Sequence, residues 1–210
     1  MKCAKEDLLL YAVTDRHWLN GRTLYEVVKE SLDGGVTFLQ LREKTLDEAH
    51  FLEEAKELQK LCKEYKVPFI INDNVDIAKA MDADGVHVGQ DDMEALDVRA
   101  KLGPDKIIGV SAHTVEEALL AEKHGADYLG VGAAFVTHTK ANTTPITPAE
   151  IRAITAAVHI PVVAIGGITA ENVLALAGCG LAGVAVVSAL FAQPDVKAAA
   201  AQMRALADRL

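Results

Sequence analysis

Phe38-Leu39-Gln40-Leu41-Arg42-Glu43-Lys44 is a short apolar strand that ends in a polar cluster, and the same plan recurs along the chain. Pro68-Phe69-Ile70-Ile71-Asn72-Asp73 follows it, then Gly85-Val86-His87-Val88-Gly89-Gln90-Asp91-Asp92. Ile107-Ile108-Gly109-Val110-Ser111 and Val162-Val163-Ala164-Ile165-Gly166-Gly167 repeat it. Continuous Val/Ile/Leu runs suit strands buried on both faces, as in a parallel sheet under helices. In a barrel of parallel strands the C-terminal ends meet at one rim, so these polar groups would converge on one site.

Strands are predicted near 8–14, 36–42, 68–72, 84–89, 107–111, 127–132, 161–166 and 183–188. Helices are predicted near 22–33, 46–65, 75–81, 92–102, 114–124, 147–158, 170–177 and 193–208. The clearest is 46–65, where Leu46, Phe51, Leu52, Ala55, Leu58, Leu61 and Cys62 make an apolar stripe opposite acids and lysines. Gly34-Gly35, Gly125 and Gly178/Gly180 stand where helices turn into strands. Eight alternating βα units predict an α/β fold, a single-domain (β/α)8 TIM barrel over residues 1–210, with an open doubly wound sheet as the alternative.

Composition narrows the function. The 210 residues include 21 basic and 30 acidic side chains, for a net charge of −9, which argues against nucleic acid or an anionic membrane as partner. A phosphorylated small molecule remains compatible, because a few cations can gather locally. Cys3, Cys62 and Cys179 form no CxxC and cannot all pair, which reads as a reduced, cytoplasmic chain. The N-terminal residues lack a signal-peptide apolar region, and no apolar run is long enough to span a bilayer. Nothing in the sequence decides against a homodimer.

Alternation places Phe38, Gln40, Arg42 and Lys44 on one face and Leu39 and Leu41 on the other. An inward Arg42 needs an anion, either a ligand or a structural carboxylate. Lys44 beside it favours a ligand, since two cations at one strand end repel unless something negative lies between them. Asp73 and Asp92 end adjacent strands, and such carboxylates suit either Mg2+ or helix N-capping. Phe135-Val136-Thr137-His138-Thr139-Lys140 opens a long polar βα loop whose hydroxyls and lysine suit phosphate. Gly166-Gly167 and Val187-Ser188 close the seventh and eighth strands, the usual phosphate site of such barrels, where glycine amides and a helix N-terminus hold the anion. His87 reads as a satisfied interior histidine, and His113, next to the rim, as either a satisfied histidine or a ligand. No HExxH, nucleophile elbow or GxGxxG is present.

With these motifs the chain resembles the thiamine-phosphate synthase family. The matching stretches are QLREK at 40–44, Asn72-Asp73, Gly89-Gln90-Asp91-Asp92, Ser111-Ala112-His113-Thr114, Thr137-His138-Thr139-Lys140, Gly166-Gly167-Ile168-Thr169 and Val187-Ser188. They occur in the family's order over nearly the whole chain. The resemblance implies a Mg2+-dependent transfer in which an aminopyrimidine methyl group leaves its diphosphate and is captured by the nitrogen of a thiazole phosphate. It further implies that Gln40, Arg42, Glu43, Lys44, Asn72, Ser111 and Lys140 hold the pyrimidine diphosphate. Asp73 and Asp92 would hold Mg2+, and Thr137, His138, Thr139, Gly167, Val187 and Ser188 the thiazole phosphate. The family usually has proline near positions 133 and 136, where this chain has Ala133 and Val136. The competing readings are a thiazole tautomerase of the same fold, a ribulose-phosphate-type epimerase or tryptophan-pathway barrel, and a non-catalytic barrel that binds thiamine precursors.

Overall fold

The structure is a computed structural model, and it describes residues 3–90, 94–137 and 144–210. Eight strands form the wall: β1 (Leu10–Val13), β2 (Phe38–Leu41), β3 (Phe69–Asn72), β4 (Gly85–Val88), β5 (Ile107–Ala112), β6 (Tyr128–Val131), β7 (Val162–Ile165) and β8 (Gly183–Val186). Each pairs in parallel with its sequence neighbour, and β8 returns to β1 through Leu10↔Val184 and Tyr11↔Ala185. The sheet is therefore a closed barrel.

The helices are α1 (Leu24–Asp33), α2 (Glu48–Tyr65), α3 (Val75–Ala80), α4 (Ala95–Leu102), α5 (Val115–Lys123), α6 (Pro148–Ala157), α7 (Ser188–Phe191) and α8 (Val196–Ala207). Local capping sets several starts. Thr23 and Glu26 form a capping box ahead of α1, Thr147 and Glu150 another at α6, and Asp47 accepts from two backbone amides ahead of α2. These caps move each start one or two residues beyond the predicted one.

Period-two alternation sorts the strand residues into two cores. Tyr11, Val13, Phe38, Ile70, Ile107, Tyr128, Val163 and Ala185 fill the barrel interior. Leu10, Ala12, Leu39, Leu41, Phe69, Ile71 and Val86 face the helices, against Phe51, Ala55, Leu58 and Cys62 of α2 among others. Cys3, Cys62 and Cys179 are all buried and unpaired.

The helices depart from the predicted set in two places. The helix expected over 170–177 is a four-residue 3-10 turn, Val173–Leu176. Asn172 accepts from the Thr169 amide and donates to the Gly167 carbonyl, so its side chain holds a compact loop where a longer helix would start. The second difference is α7, which follows β8 directly and was not predicted. Its Leu190 and Phe191 are buried, but four residues are too few to show a helical period. Among the described residues no helix is long and apolar enough to cross a membrane.

Strand closure leaves no room at some interior glycines. A Cβ on Gly85 would lie 2.0 Å from the Ile107 carbonyl oxygen in the neighbouring strand. We expect Gly85→Ala to cost about 1–3 kcal/mol, seen as a lower midpoint in urea unfolding. An unchanged midpoint would mean that the β4–β5 seam opens freely.

Candidate active site

The C-terminal strand ends enclose one cavity. Gln40 and Arg42 from β2, Asn72 from β3 and Ser111 from β5 line one side of it. Thr137, Gly166, Gly167, Val187 and Ser188 line the other. All of these but Gly166, eight residues, are ones the resemblance assigns to the site, whereas Lys44 and Asp73 do not line the cavity. Asp92, His138, Thr139 and Lys140 lie outside the described residues.

Among the described residues, Arg42 in the cavity and Lys44 beyond β2 each meet a carboxylate. Arg42 donates from Nη1 to Asp15 Oδ2 at 3.2 Å, and Lys44 Nζ donates to Asp73 Oδ2 at 2.6 Å. The carboxylate alternative for Arg42 is therefore present as Asp15, which the sequence reading missed. The signal was available: Thr14-Asp15-Arg16 is a polar cluster at the end of β1, like those at the other strand ends. Asp73 is not a helix cap. Asn74 caps α3, accepting from the Ile77 amide at 3.0 Å. Asp73 instead accepts from Lys44 and from Asn72 Nδ2, at 2.6 Å each, with a left-handed backbone at φ +59°. A non-glycine residue in that region costs roughly 1 kcal/mol, a strain found at functional positions.

Glu43 departs from the expectation of a ligand contact. Its side chain is only 2% exposed and is absent from the cavity lining. One carboxylate oxygen accepts from the Lys44, Thr45 and Leu46 amides and from the Thr45 hydroxyl. The other accepts from Arg16 Nε, and Arg16 also bridges to Glu54. Burial alone would raise the Glu43 carboxyl, but the loop amides and Arg16 outweigh it and hold it down at about 2. Glu43 thus fixes the turn that carries Lys44 beyond β2. Position 43 lies beyond the end of β2, in a turn whose amides draw its carboxylate away from the cavity.

The second side is lined by two glycines and two hydroxyl residues, with Val187. Gly166 and Gly167 have φ of +96° and +66°, conformations that favour glycine. A Cβ on Gly167 would sit 2.4 Å from the Val136 carbonyl oxygen, so the loops after β6 and β7 touch there. Phe135 N donates to Gly166 O at 2.9 Å. The helix N-terminus at this corner belongs to α7, with Val187 as its N-cap and no side chain capping it. It takes the place expected of the helix after β7. Ala133 lines the cavity, while Val136 is 73% exposed.

The floor is polar. Gln40 Nε2 donates to the Tyr11 hydroxyl, which bonds the Tyr128 hydroxyl at 2.8 Å. Tyr128 bonds His87 Nδ1 at 2.9 Å, and His87 Nε2 bonds Ser111 Oγ at 3.0 Å. His87 is the satisfied interior histidine expected, and it also lines the cavity. His113 lines the cavity and bonds Glu117 at 3.1 Å. Among the described residues no cluster of three His, Cys, Asp or Glu side chains could hold a metal unaided.

A family model described as thiamine monophosphate synthase matches residues 10–190. The chain belongs to this family. It is 51% identical over 191 residues to the thiamine-phosphate synthase of Shouchella clausii, covering 90% of this chain and 91% of that one. It is 49% identical over 191 residues to that of Clostridium acetobutylicum, covering 91% and 90%. Among solved structures, the thiamine phosphate pyrophosphorylase of Pyrococcus furiosus superposes with a TM-score of 0.90 at 40% identity, covering 97% of each chain. A 3-hexulose-6-phosphate synthase at 16% identity and TM-score 0.67 shares the fold alone.

The buried Glu43 makes stability pH-dependent. Its carboxyl sits at about 2 when folded against an ordinary 4.5, so the unfolded chain binds more protons between those values. Its stabilisation is present above 4.5 and declines as pH falls toward 2. We expect Glu43→Gln to lower unfolding free energy by about 3 kcal/mol near neutrality. The gap to the parent should narrow in denaturant titrations at progressively lower pH. A gap that is constant with pH would show that the Glu43 charge is not what holds the loop.

Proposed function

We propose that this chain is a Mg2+-dependent thiamine-phosphate synthase. It would join a pyrimidinylmethyl diphosphate to a thiazole phosphate, giving thiamine phosphate and diphosphate. A cytoplasmic setting suits its three buried, unpaired thiols. The observation that carries the reading is the two-sided cavity: cationic and amide side chains from β2 and β3 face glycine amides and the α7 start across one space. A transfer between two phosphorylated substrates needs two anion sites opening on one cavity. A thiazole tautomerase has no diphosphate to expel and no use for the paired Arg42 and Lys44.

In the reaction the pyrimidine C–O bond breaks with its electron pair leaving on the diphosphate, and the thiazole nitrogen then forms the new C–N bond. Arg42 and Lys44 would exchange Asp15 and Asp73 for diphosphate oxygens, so the rim trades one set of negative partners for another. That preorganised positive field stabilises charge that grows on the leaving group. Asn72, Ser111 and Gln40 would hold the remainder of the pyrimidine substrate, and Lys140 the diphosphate from the loop after β6. Thr137, His138, Thr139, Gly167, Val187 and Ser188 would seat the thiazole phosphate and aim its nitrogen. No protein nucleophile is needed. The Ser111 hydroxyl bonds a histidine whose other nitrogen meets a tyrosine, not a carboxylate.

Asp73 is a hard oxygen donor at the end of β3, and with Asp92 it would hold Mg2+ together with substrate phosphates, the ion's usual arrangement. When bound, Mg2+ supplies charge neutralisation at the departing diphosphate.

The direct test mixes protein, both substrates and Mg2+ and quantifies the products. Thiamine phosphate and diphosphate should appear in equal amounts and vanish on chelation, whereas absence of product with both ligands bound would sink the reading. Asp73→Asn keeps a residue that tolerates left-handed backbone. It should cut turnover by about 100-fold or more while leaving the thermal midpoint near the parent's. Full activity at limiting Mg2+ would remove Asp73 from the metal site. Gly167→Ala, which forces a Cβ against the Val136 carbonyl, should raise KM for the thiazole phosphate about 10-fold or more and leave that for the pyrimidine diphosphate nearly unchanged. An equal rise in both would contradict the assigned sides.

A further inference from the structure

The polar floor is one continuous chain that crosses the barrel. It runs from Gln40 on β2 to Tyr11 on β1, over to Tyr128 on β6, and on to His87 on β4 and Ser111 on β5. Gln40, Tyr11, His87 and Ser111 line the cavity, whereas Tyr128 does not. Tyr128 is fully buried, and its hydroxyl is the junction between the two halves of the chain. Edge-to-face packing against Tyr11 and Phe38, with centroids at 5.9 and 5.7 Å, fixes its ring.

The sequence makes room for this junction. A Cβ on Gly109 would lie 2.1 Å from Tyr128 Cζ and 2.5 Å from His87 Nδ1. A Cβ on Gly130 would lie 3.1 Å from His87 Cε1. Two strand glycines thus stand where side chains would push the tyrosine and histidine apart.

The chain also has a direction. Gln40 Nε2 carries only hydrogens, so the Tyr11 oxygen accepts there. Tyr11 then gives its one proton to the Tyr128 oxygen, and Tyr128 gives its own to His87 Nδ1. A neutral His87 with an accepting Nδ1 carries its proton on Nε2 and donates it to Ser111 Oγ. The Ser111 proton is left to point onward, and at the other end Gln40 Oε1 remains an acceptor. Burial pushes both phenols up, so each keeps the proton that this order requires.

We propose that Tyr128 is a positioning residue: its hydroxyl fixes the His87 tautomer and thereby sets Ser111 as a hydrogen-bond donor toward the substrate in the cavity. The identity of that substrate, the pyrimidine diphosphate, rests on the synthase reading; the direction of the chain does not.

The test uses the ligand-free full-length protein labelled with 15N-histidine, with the His87 ring signals assigned by comparison with His87→Gln. The parent should show His87 protonated at Nε2 and accepting at Nδ1. Tyr128→Phe keeps the ring and removes the hydroxyl, and should shift His87 to a mixture of tautomers. In the coupled assay Tyr128→Phe should lower kcat roughly 10-fold with KM for the thiazole phosphate unchanged. Combined with Ser111→Ala it should be no slower than Ser111→Ala alone, because both act through one group. If Tyr128→Phe does not fold, Tyr11→Phe interrupts the same chain and should give the same tautomer shift. A parent His87 protonated at Nδ1, or losses that multiply in the double variant, would overturn the proposal. Inactivity of the parent, with the expected tautomer in place, would reject the synthase reading and leave the directed chain standing.

Discussion

Closure of eight parallel strands imposes one constraint from which the rest follows. Every second side chain must point inward, and every strand must end at the same rim. Phe38, Ile70, Ile107 and Tyr128 fill the interior below, Tyr11 and Val163 reach the cavity, and the inward positions further along complete it. Gln40 and Arg42 lie two and four residues beyond Phe38, and Ser111 four beyond Ile107. Packing and chemistry are therefore successive layers of the same alternation. The apolar layer gives the polar layer rigid ground to stand on.

Next to β2 and β3 two cations among the described residues are paired without a substrate. Arg42 rests on Asp15 and Lys44 on Asp73, while Glu43, between them in sequence, is turned away and locked to Arg16 and the loop amides. Such pairs are soft where the partners are partly exposed, as at Lys44, and firm where one is buried, as at Glu43. That contrast suits a site that must release its cations to an incoming diphosphate while the loop carrying them stays in place.

What the sequence made legible follows from the range of each interaction. Strands and most helices are written in local apolar runs and capping residues, so the eight βα units and their order were readable, and alternation alone separated Gln40 and Arg42 from Leu39 and Leu41. Asp15 was readable in principle, since it ends β1 as the other site residues end their strands. Tyr11 and Tyr128 were not, because their hydroxyls meet across 117 residues of sequence and nothing local announces the contact. Glu43 was placed at the site only as part of the motif at 40–44, and its bonds to Arg16 and to three loop amides, which turn it away, are not written in that motif. The seventh helix was replaced by a 3-10 turn and α7 was missed for one reason: at four residues, neither carries a period, and their ends are set by Asn172 and by buried Leu190 and Phe191.

The central claim is that one cavity holds two separate anion sites, a cationic one at β2 and β3 and a backbone one at β7 and β8. Calorimetric titration of the parent protein with inorganic diphosphate and Mg2+, then with thiazole phosphate, tests it directly. Each should bind once per chain, and saturation with one should leave the other able to bind. Displacement of either ligand by the other would show a single anion site and contradict the account.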